Sequence, residues 1–436
     1  MSRPVGAREV ARRVLARVER DGAWATLALD GELGRSGLDG RDRRLTTELV
    51  YGVLRHRTRI DRALAALADL GRTPPMVLLA LRVAAYQLLF LRVPAHAAVD
   101  DAVGAVRASS TKLAGFTNAV LRKLSSVGEP ALPPPGLERI VVEHSLPRWI
   151  VDQLALAVAA DGGDAATVAA AAAGLSTPAP LWVRVNPTRA RADQVAAALV
   201  EEGAEVVASD QLAGALAVTG LGDPAASPSF RAGWWTVQDL GAQQVVALAA
   251  PLGAGPVLDA CAGVGGKATQ LAELAGPEVS IDAVDLAAGK LELAAASARR
   301  LGLGNVRTVV GDLRAPGLAL AAAYPVVVLD APCTGLGVLR RHPEAKWRLV
   351  PADVDRMAAL QHELLAAVAP RVAPGGVLVY SVCSVTVTEG EAQVERFLAE
   401  QPAFVAEPVG PGRAALRTWP HAGGADGFFA ARLRRR

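Results

Sequence analysis

The sequence predicts a multidomain chain: an all-α N-terminal domain, a small α+β middle module, and an α/β domain on a mostly parallel sheet. Three observations predict this. Helical periodicity without strand-like alternation runs through the first ~125 residues. A stiff proline-rich stretch, Glu129-Pro-Ala-Leu-Pro-Pro-Pro-Gly136, then interrupts the chain. From about residue 240 short apolar strands alternate with helical stretches, the texture of βαβ units.

In the first segment, Ala7 to Arg20 places Val10, Val14, Leu15 and Val18 on one stripe with arginines opposite. Arg44 to Leu54, Ile60 to Leu70, Pro75 to Leu91 and Ala97 to Arg107 repeat the pattern, separated by Gly/Pro/Asp punctuation. The middle segment mixes helices (Pro147 to Ala159, Ala165 to Ala173, Ala192 to Glu202) with strands at 181–185, 204–208 and 215–219. In the last segment, strands are expected at 256–259, 280–285, 306–310, 324–330 and 376–380. Domain bounds of 1–128, 137–235 and 236–436 follow.

Net charge is +3, but residues 1–125 hold 21 Lys+Arg against 12 Asp+Glu, a net of +9. Two readings fit: a polyanionic partner such as nucleic acid, or an arginine-coated helical surface. The N-terminus lacks a signal-peptide core, and the most apolar stretch, Met76 to Val93, is broken by Arg82, Gln87 and Arg92. No membrane association is expected. Three cysteines without a Cys-x-x-Cys pair argue against a disulfide framework and against a metal site. A reducing cytoplasm and a monomer are the default expectations.

All three cysteines fall in short motifs of the last segment. Strand 256–259 runs into Cys261-Ala262-Gly263-Val264-Gly265-Gly266-Lys267, where glycines permit close backbone approach to a nucleotide-like ligand. Asp285 and Asp312 end the next two strands, placed for ribose hydroxyls and an adenine amino group; Asp312 also reads as a simple turn residue. The glycine spacing lacks the dehydrogenase fingerprint, which favours S-adenosylmethionine over a dinucleotide. Asp330-Ala-Pro-Cys333 and Tyr380-Ser-Val-Cys383-Ser384 also end strands. Carbon 5 of a pyrimidine is a poor nucleophile; a thiolate adding to carbon 6 makes it reactive, and an acid at ring N3 such as Asp330 eases the addition. Spacing alone leaves open which thiol attacks. Cys261 reads as turn packing. Arg341 and Lys346 are candidate phosphate contacts, Trp347 is expected in a core, and His342 is a loop residue or a proton shuttle.

On these motifs the chain resembles the RNA cytosine-C5 methyltransferases of the NOL/Nop2/Sun superfamily, with strings similar to Cys-Ala-Ala-Pro-Gly-Gly-Lys, Asp-Ala-Pro-Cys-Ser and Tyr-Ser-Thr-Cys-Ser. Val93 to Val103, Gly115 to Lys123, Gly233 to Asp239 and Gly424 to Phe429 are similar to segments of the Sun/Fmu branch. The resemblance implies a NusB-like helical domain, a Rossmann-like S-adenosylmethionine-dependent domain, and 16S ribosomal RNA or a small-subunit precursor as partner. It makes Cys383 the nucleophile and Cys333 the release partner. It carries over Cys261 to Lys267, Asp285, Asp312 and Asp330 as cofactor contacts. A transfer RNA methylase and a non-catalytic RNA-binding protein are the alternatives. Gly263-Val264, Thr334 and Val382 depart from the usual Ala-Pro, Ser and Thr.

Overall fold

The computed structural model describes residues 6–436 and divides into two compact units. One runs through Asp152 and takes in Leu339–Arg348; the other comprises Gln153–Val338 and Leu349–Arg436.

The first unit is helical among its described residues, with helices Ala7–Arg20, Ala25–Ser36, Gly40–Arg55, Arg57–Ala65, Pro75–Phe90, Ala95–Arg107, Thr111–Val127 and Leu137–Glu143. Their apolar stripes converge on one core containing Leu15, Leu49, Leu54, Ile60, Leu81 and Leu121, which removes the faces predicted to be apolar from water. Caps set the ends: Asp39 accepts from Asp42 N at 2.8 Å, and Ser110 from Leu113 N at 3.3 Å. Helices Ala25–Ser36, Thr111–Val127 and Leu137–Glu143 are additions to the expectation, and the helix expected to reach Leu70 stops at Ala65. The excursion 339–348 docks on this unit. Lys346 Nζ donates to the Arg55 carbonyl at 2.9 Å, and Trp347 Nε1 to the Leu54 carbonyl at 2.8 Å. Trp347 therefore packs in the core, as expected. Lys346 does not fit a phosphate contact: its side chain is buried at 2% exposure, and burial, then Arg55, push its ammonium well below its usual value.

In the second unit, strands β1 (Leu181–Val185), β2 (Glu205–Ala208), β3 (Ala215–Thr219) and β4 (Trp235–Val237) form an antiparallel sheet in the order β2-β3-β1-β4. The larger sheet holds β5 (Val257–Ala260), β6 (Ile281–Asp285), β7 (Val306–Val310), β8 (Tyr324–Asp330), β9 (Val372–Val382), β10 (Phe404–Glu407), β11 (Leu416–Arg417) and β12 (Phe429–Arg435). Its order is β10-β12-β9-β8-β5-β6-β7, with β11 on β12. From β9 to β7 the pairing is parallel; β12 is antiparallel to both β9 and β10.

The parallel strands read as continuous apolar runs because helices cover both faces. Strands β10 to β12 and β4 are additions to the sequence expectation. In β12 the alternation is masked by Arg432 and Arg434, which pair with Glu407 of β10. The chain passes β5, β6, β7 in one direction and then returns to place β8 on the other side of β5, so the switch point lies between β5 and β8. No helix among the described residues is long and apolar enough to cross a membrane.

Candidate active site

The carboxyl ends of β5, β6, β7, β8 and β9 surround a cavity of about 490 Å³. Its walls include Cys261, Gly263, Asp285, Asp312, Asp330 and both Cys333 and Cys383. Residues that are far apart in sequence meet here because parallel strands deliver their ends to one sheet edge.

The turn after β5 is built by backbone geometry. Cys261 and Gly263 adopt positive φ, 66° and 57°, and Gly265 follows at 81°. A Cβ on Gly265 would lie 2.5 Å from the Ala294 Cβ, so glycine is required both for the turn and for helix Ala288–Leu301 to approach. Asp285 locks this turn to β6: Oδ2 accepts from Gly263 N at 2.9 Å, and Oδ1 from Ala287 N at 2.8 Å. Ala262, Val264, Gly265, Gly266 and Lys267 belong to the turn but do not line the cavity; Val264 is 56% exposed. Burial, then Asp330, push the Cys261 thiol up to about 12, so it stays protonated and packs.

Asp312 is gripped by Arg314, which donates to Oδ1 and Oδ2 at 3.0 and 2.8 Å and holds the carboxyl below its ordinary value. Asp330 sits deeper, with Oδ1 accepting from Ser381 Oγ at 2.8 Å and Oδ2 from Lys267 Nζ at 2.5 Å. Burial alone would depress the Lys267 ammonium, but Asp330 outweighs it and the group is held above its usual value. Lys267 thus presents a proton beside Asp330. Below it, Asp259 is fully buried with neither oxygen partnered, and burial raises its carboxyl to about 7 against the pull of Lys267.

The sulfurs of Cys333 and Cys383 are 3.3 Å apart. The Cys333 thiol is raised well above its ordinary value, by its hydrogen bond toward Cys383 and then by burial. The loops bearing the two cysteines are also stitched together: Gly337 N donates to the Cys383 carbonyl at 3.1 Å, and a Cβ on Gly337 would lie 1.8 Å from the Gly427 carbonyl oxygen.

Several supporting residues were not legible in the motifs. Arg184 on β1 reaches the helix after the glycine turn, forming a two-pronged pair with Glu273 at 2.8 Å and donating to the Gly266 carbonyl at 2.8 Å. A lone arginine inside a strand carries no local signal of such a role. Asp239 and Asp426, from two separate strings, meet where Asp426 N donates to Asp239 Oδ1 at 3.0 Å. Glu389, six residues past Cys383, is fully buried between the cysteine loops.

The model of the 16S rRNA methyltransferase RsmB/F family matches residues 246–434, that of the NusB family residues 6–126, and that of the RsmF/B-like ferredoxin-like domain residues 146–223. The probable ribosomal RNA small subunit methyltransferase B of Synechocystis sp. is 34% identical, covering 99% of this chain and 100% of the relative. The chain belongs to the ribosomal RNA small subunit methyltransferase B family. The probable member from Bacillus subtilis is 32% identical, with 98% of each chain covered. The crystal structure of PH0851 superposes with a TM-score of 0.82 at 25% identity, covering 100% of this chain and 99% of that one. As a member of the methyltransferase B family the protein is an enzyme, with a NusB-like helical N-terminus, a ferredoxin-like middle sheet and a methyltransferase domain on a mixed sheet.

Proposed function

We propose that the protein methylates carbon 5 of a cytosine in 16S ribosomal RNA, free or in a small-subunit precursor, with S-adenosylmethionine as donor. The observation that carries this reading is the pair of sulfurs 3.3 Å apart on cysteines that line one cavity with Asp285, Asp312 and Asp330. Amino-group methylation needs no thiol; carbon 5 does.

The residues present fit the cofactor. A cavity of about 490 Å³ suits a ligand of that size. Asp285 would take the ribose hydroxyls and Asp312 the adenine end; Gly263 and Cys261 would offer backbone, while Ala262, Val264, Gly265, Gly266 and Lys267 shape the turn. When bound, S-adenosylmethionine supplies an electrophilic methyl group.

The chain's own residues do the rest. The Cys383 thiolate adds to carbon 6, forming a C–S bond, while Lys267 and Asp330 hold a proton at N3 and so accommodate the displaced electron pair. With carbon 5 bearing the methyl group, transfer of its proton to a base expels the Cys383 thiolate and restores the aromatic ring. Cys333, the protonated neighbour, assists this release. Segment 1–128, with its basic excess, would hold RNA; 137–235 braces the cofactor turn through Arg184; and 236–436 is catalytic. The single-stranded or extruded base that such chemistry requires fits RNA loops. Three free thiols suit a reducing cytoplasm, and a monomer is the expected state.

Trapping with RNA and S-adenosylmethionine tests the assignment. Cys383→Ala is expected to abolish both 5-methylcytosine and covalent adduct, and Cys333→Ala to accumulate adduct. Swapped phenotypes would sink these two roles. Mapping 5-methylcytosine in rRNA from a deletion strain checks the substrate.

A further inference from the structure

The side chain of Glu389 is wholly inaccessible, yet its carboxylate is surrounded by hydrogen-bond donors. Oε1 accepts from Thr334 N at 2.8 Å and Gln361 Nε2 at 3.1 Å. Oε2 accepts from Thr334 Oγ1 and Ser384 Oγ, both at 2.6 Å, and from Thr386 Oγ1 at 3.0 Å. Its own carbonyl accepts from Tyr380 OH at 2.6 Å. A carboxylate can use about four lone-pair directions, so this one is saturated. Burying such a group is costly unless its partners are complete, and short charge-assisted bonds are the strong ones.

The identity of the partners matters more than their number. Thr334 follows Cys333 in the chain, and Ser384 follows Cys383. Gln361 also donates to the carbonyl of Pro332, the residue before Cys333, at 3.0 Å. A single carboxylate therefore binds the residue that follows each thiol, the amide and hydroxyl of Thr334 and the hydroxyl of Ser384, from loops 50 residues apart. We propose that Glu389 is a positioning residue: it holds the Cys333 and Cys383 loops in the one register that keeps the two sulfurs within contact of each other and of the same base. The departure Thr334 keeps the hydroxyl this clamp uses, which accounts for its tolerance in place of serine.

This inference rests on the thiol chemistry proposed above, but its test has an arm that needs no RNA. Glu389→Gln keeps the shape and turns one acceptor oxygen into a donor that opposes the surrounding donors. In the full-length protein, kcat for RNA methylation is expected to fall about 10- to 100-fold, the order expected for a catalytic group displaced by about an ångström, with both KM values within about twofold. The independent readout is the rate at which diamide oxidises the Cys333–Cys383 pair to a disulfide. Two thiols lose two electrons and two protons, and diamide is reduced to its hydrazine. That rate is expected to drop at least about fivefold in Glu389→Gln, because it depends on how closely the sulfurs approach.

Should Glu389→Gln fail to fold by melting and circular dichroism, Thr334→Val and Ser384→Ala each remove one hydroxyl of the clamp. Each is expected to lower kcat and the disulfide rate about threefold or more, with Thr334→Ser recovering both. A folded Glu389→Gln with wild-type kcat, or with lowered kcat but an unchanged disulfide rate, overturns the proposal; so do unaffected Thr334→Val and Ser384→Ala proteins. Wild-type protein that makes no 5-methylcytosine sinks the carbon 5 reading instead, and leaves the thiol-pair measurement standing.

Discussion

Both units bury charge, and in each some buried groups have a full set of partners while others have few or none. The helical unit buries Arg82, Lys346 and the ring Nδ1 of His56. Arg82, 4% exposed, is held by Asp61 at 2.7 and 2.8 Å and by Glu19 at 2.7 Å. Lys346 has one carbonyl, and His56 lies stacked 4.4 Å from the Phe90 ring with its Nδ1 unpartnered. The catalytic unit buries Arg184 against Glu273, Glu389 among five donors, and Asp259 with no hydrogen-bond partner on either oxygen. Around Arg82 and Glu389 the partners take the place of water. Groups without partners, His56 and Asp259, give up charge instead, and their titration is where each unit becomes sensitive to pH.

The largest expected effect is in the catalytic unit. Lys267→Met removes the proton beside Asp330, and methylation is expected to fall about 100-fold, as for loss of a general acid, with the folded state retained. Activity within about threefold of wild type would remove the Lys267–Asp330 pair from the chemistry. Next, Arg82→Met leaves Asp61 and Glu19 in the helical unit with only the longer contacts to Arg57, at 3.7 and 3.8 Å. A loss of about 3 kcal/mol is expected from the urea unfolding midpoint, since stripping one member from a buried ion pair costs about that much.

The pH prediction sets the units against each other. Burial, then Arg55, depress His56 from 6.5 to about 3. Between those values the unfolded state binds a proton that the native state refuses, so stability is lost as pH falls from 6.5 toward 3. Asp259 is raised from 3.8 to about 7. Between those values the native state keeps a proton that the unfolded state releases, so its contribution is lost as pH rises through that window. Each slope is at most about 1.4 kcal/mol per pH unit. Thermal unfolding of His56→Gln and Asp259→Asn against wild type across pH 4–7 should show difference slopes of opposite sign. Parallel slopes would break the comparison.

The smallest effect is expected from Val264→Pro, which restores the residue usual in related turns at an exposed position. A stiffer turn loses less entropy on binding, and S-adenosylmethionine affinity should tighten about twofold by calorimetry. A weakened affinity would mean the turn does not tolerate the fixed φ of proline.

Much of this site was legible before folding. Asp285, Asp312 and Asp330 each stand just past an apolar run, and the glycine turn follows another; strand ends are visible as punctuation. Val372–Val382 was seen only in part, and β12 was missed, because Arg432 and Arg434 owe their place to Glu407 on a strand that is not adjacent in sequence. Lys346 looked like a phosphate contact from its neighbours Arg340 and Arg341; the fold turns it into a core.

By itself the sequence determined most of the helices, the parallel strands, the glycine turn and the placing of cysteines at strand ends. Those features are local, set by periodicity, glycine and strand punctuation over a few residues. Only the tertiary structure decided that Cys333 and Cys383 touch, that Lys267 bridges to Asp330, that Arg184 braces the turn, and that Glu389 binds both cysteine loops. Each depends on which strands neighbour each other in the sheet, and long-range pairing leaves no short-range trace in the chain.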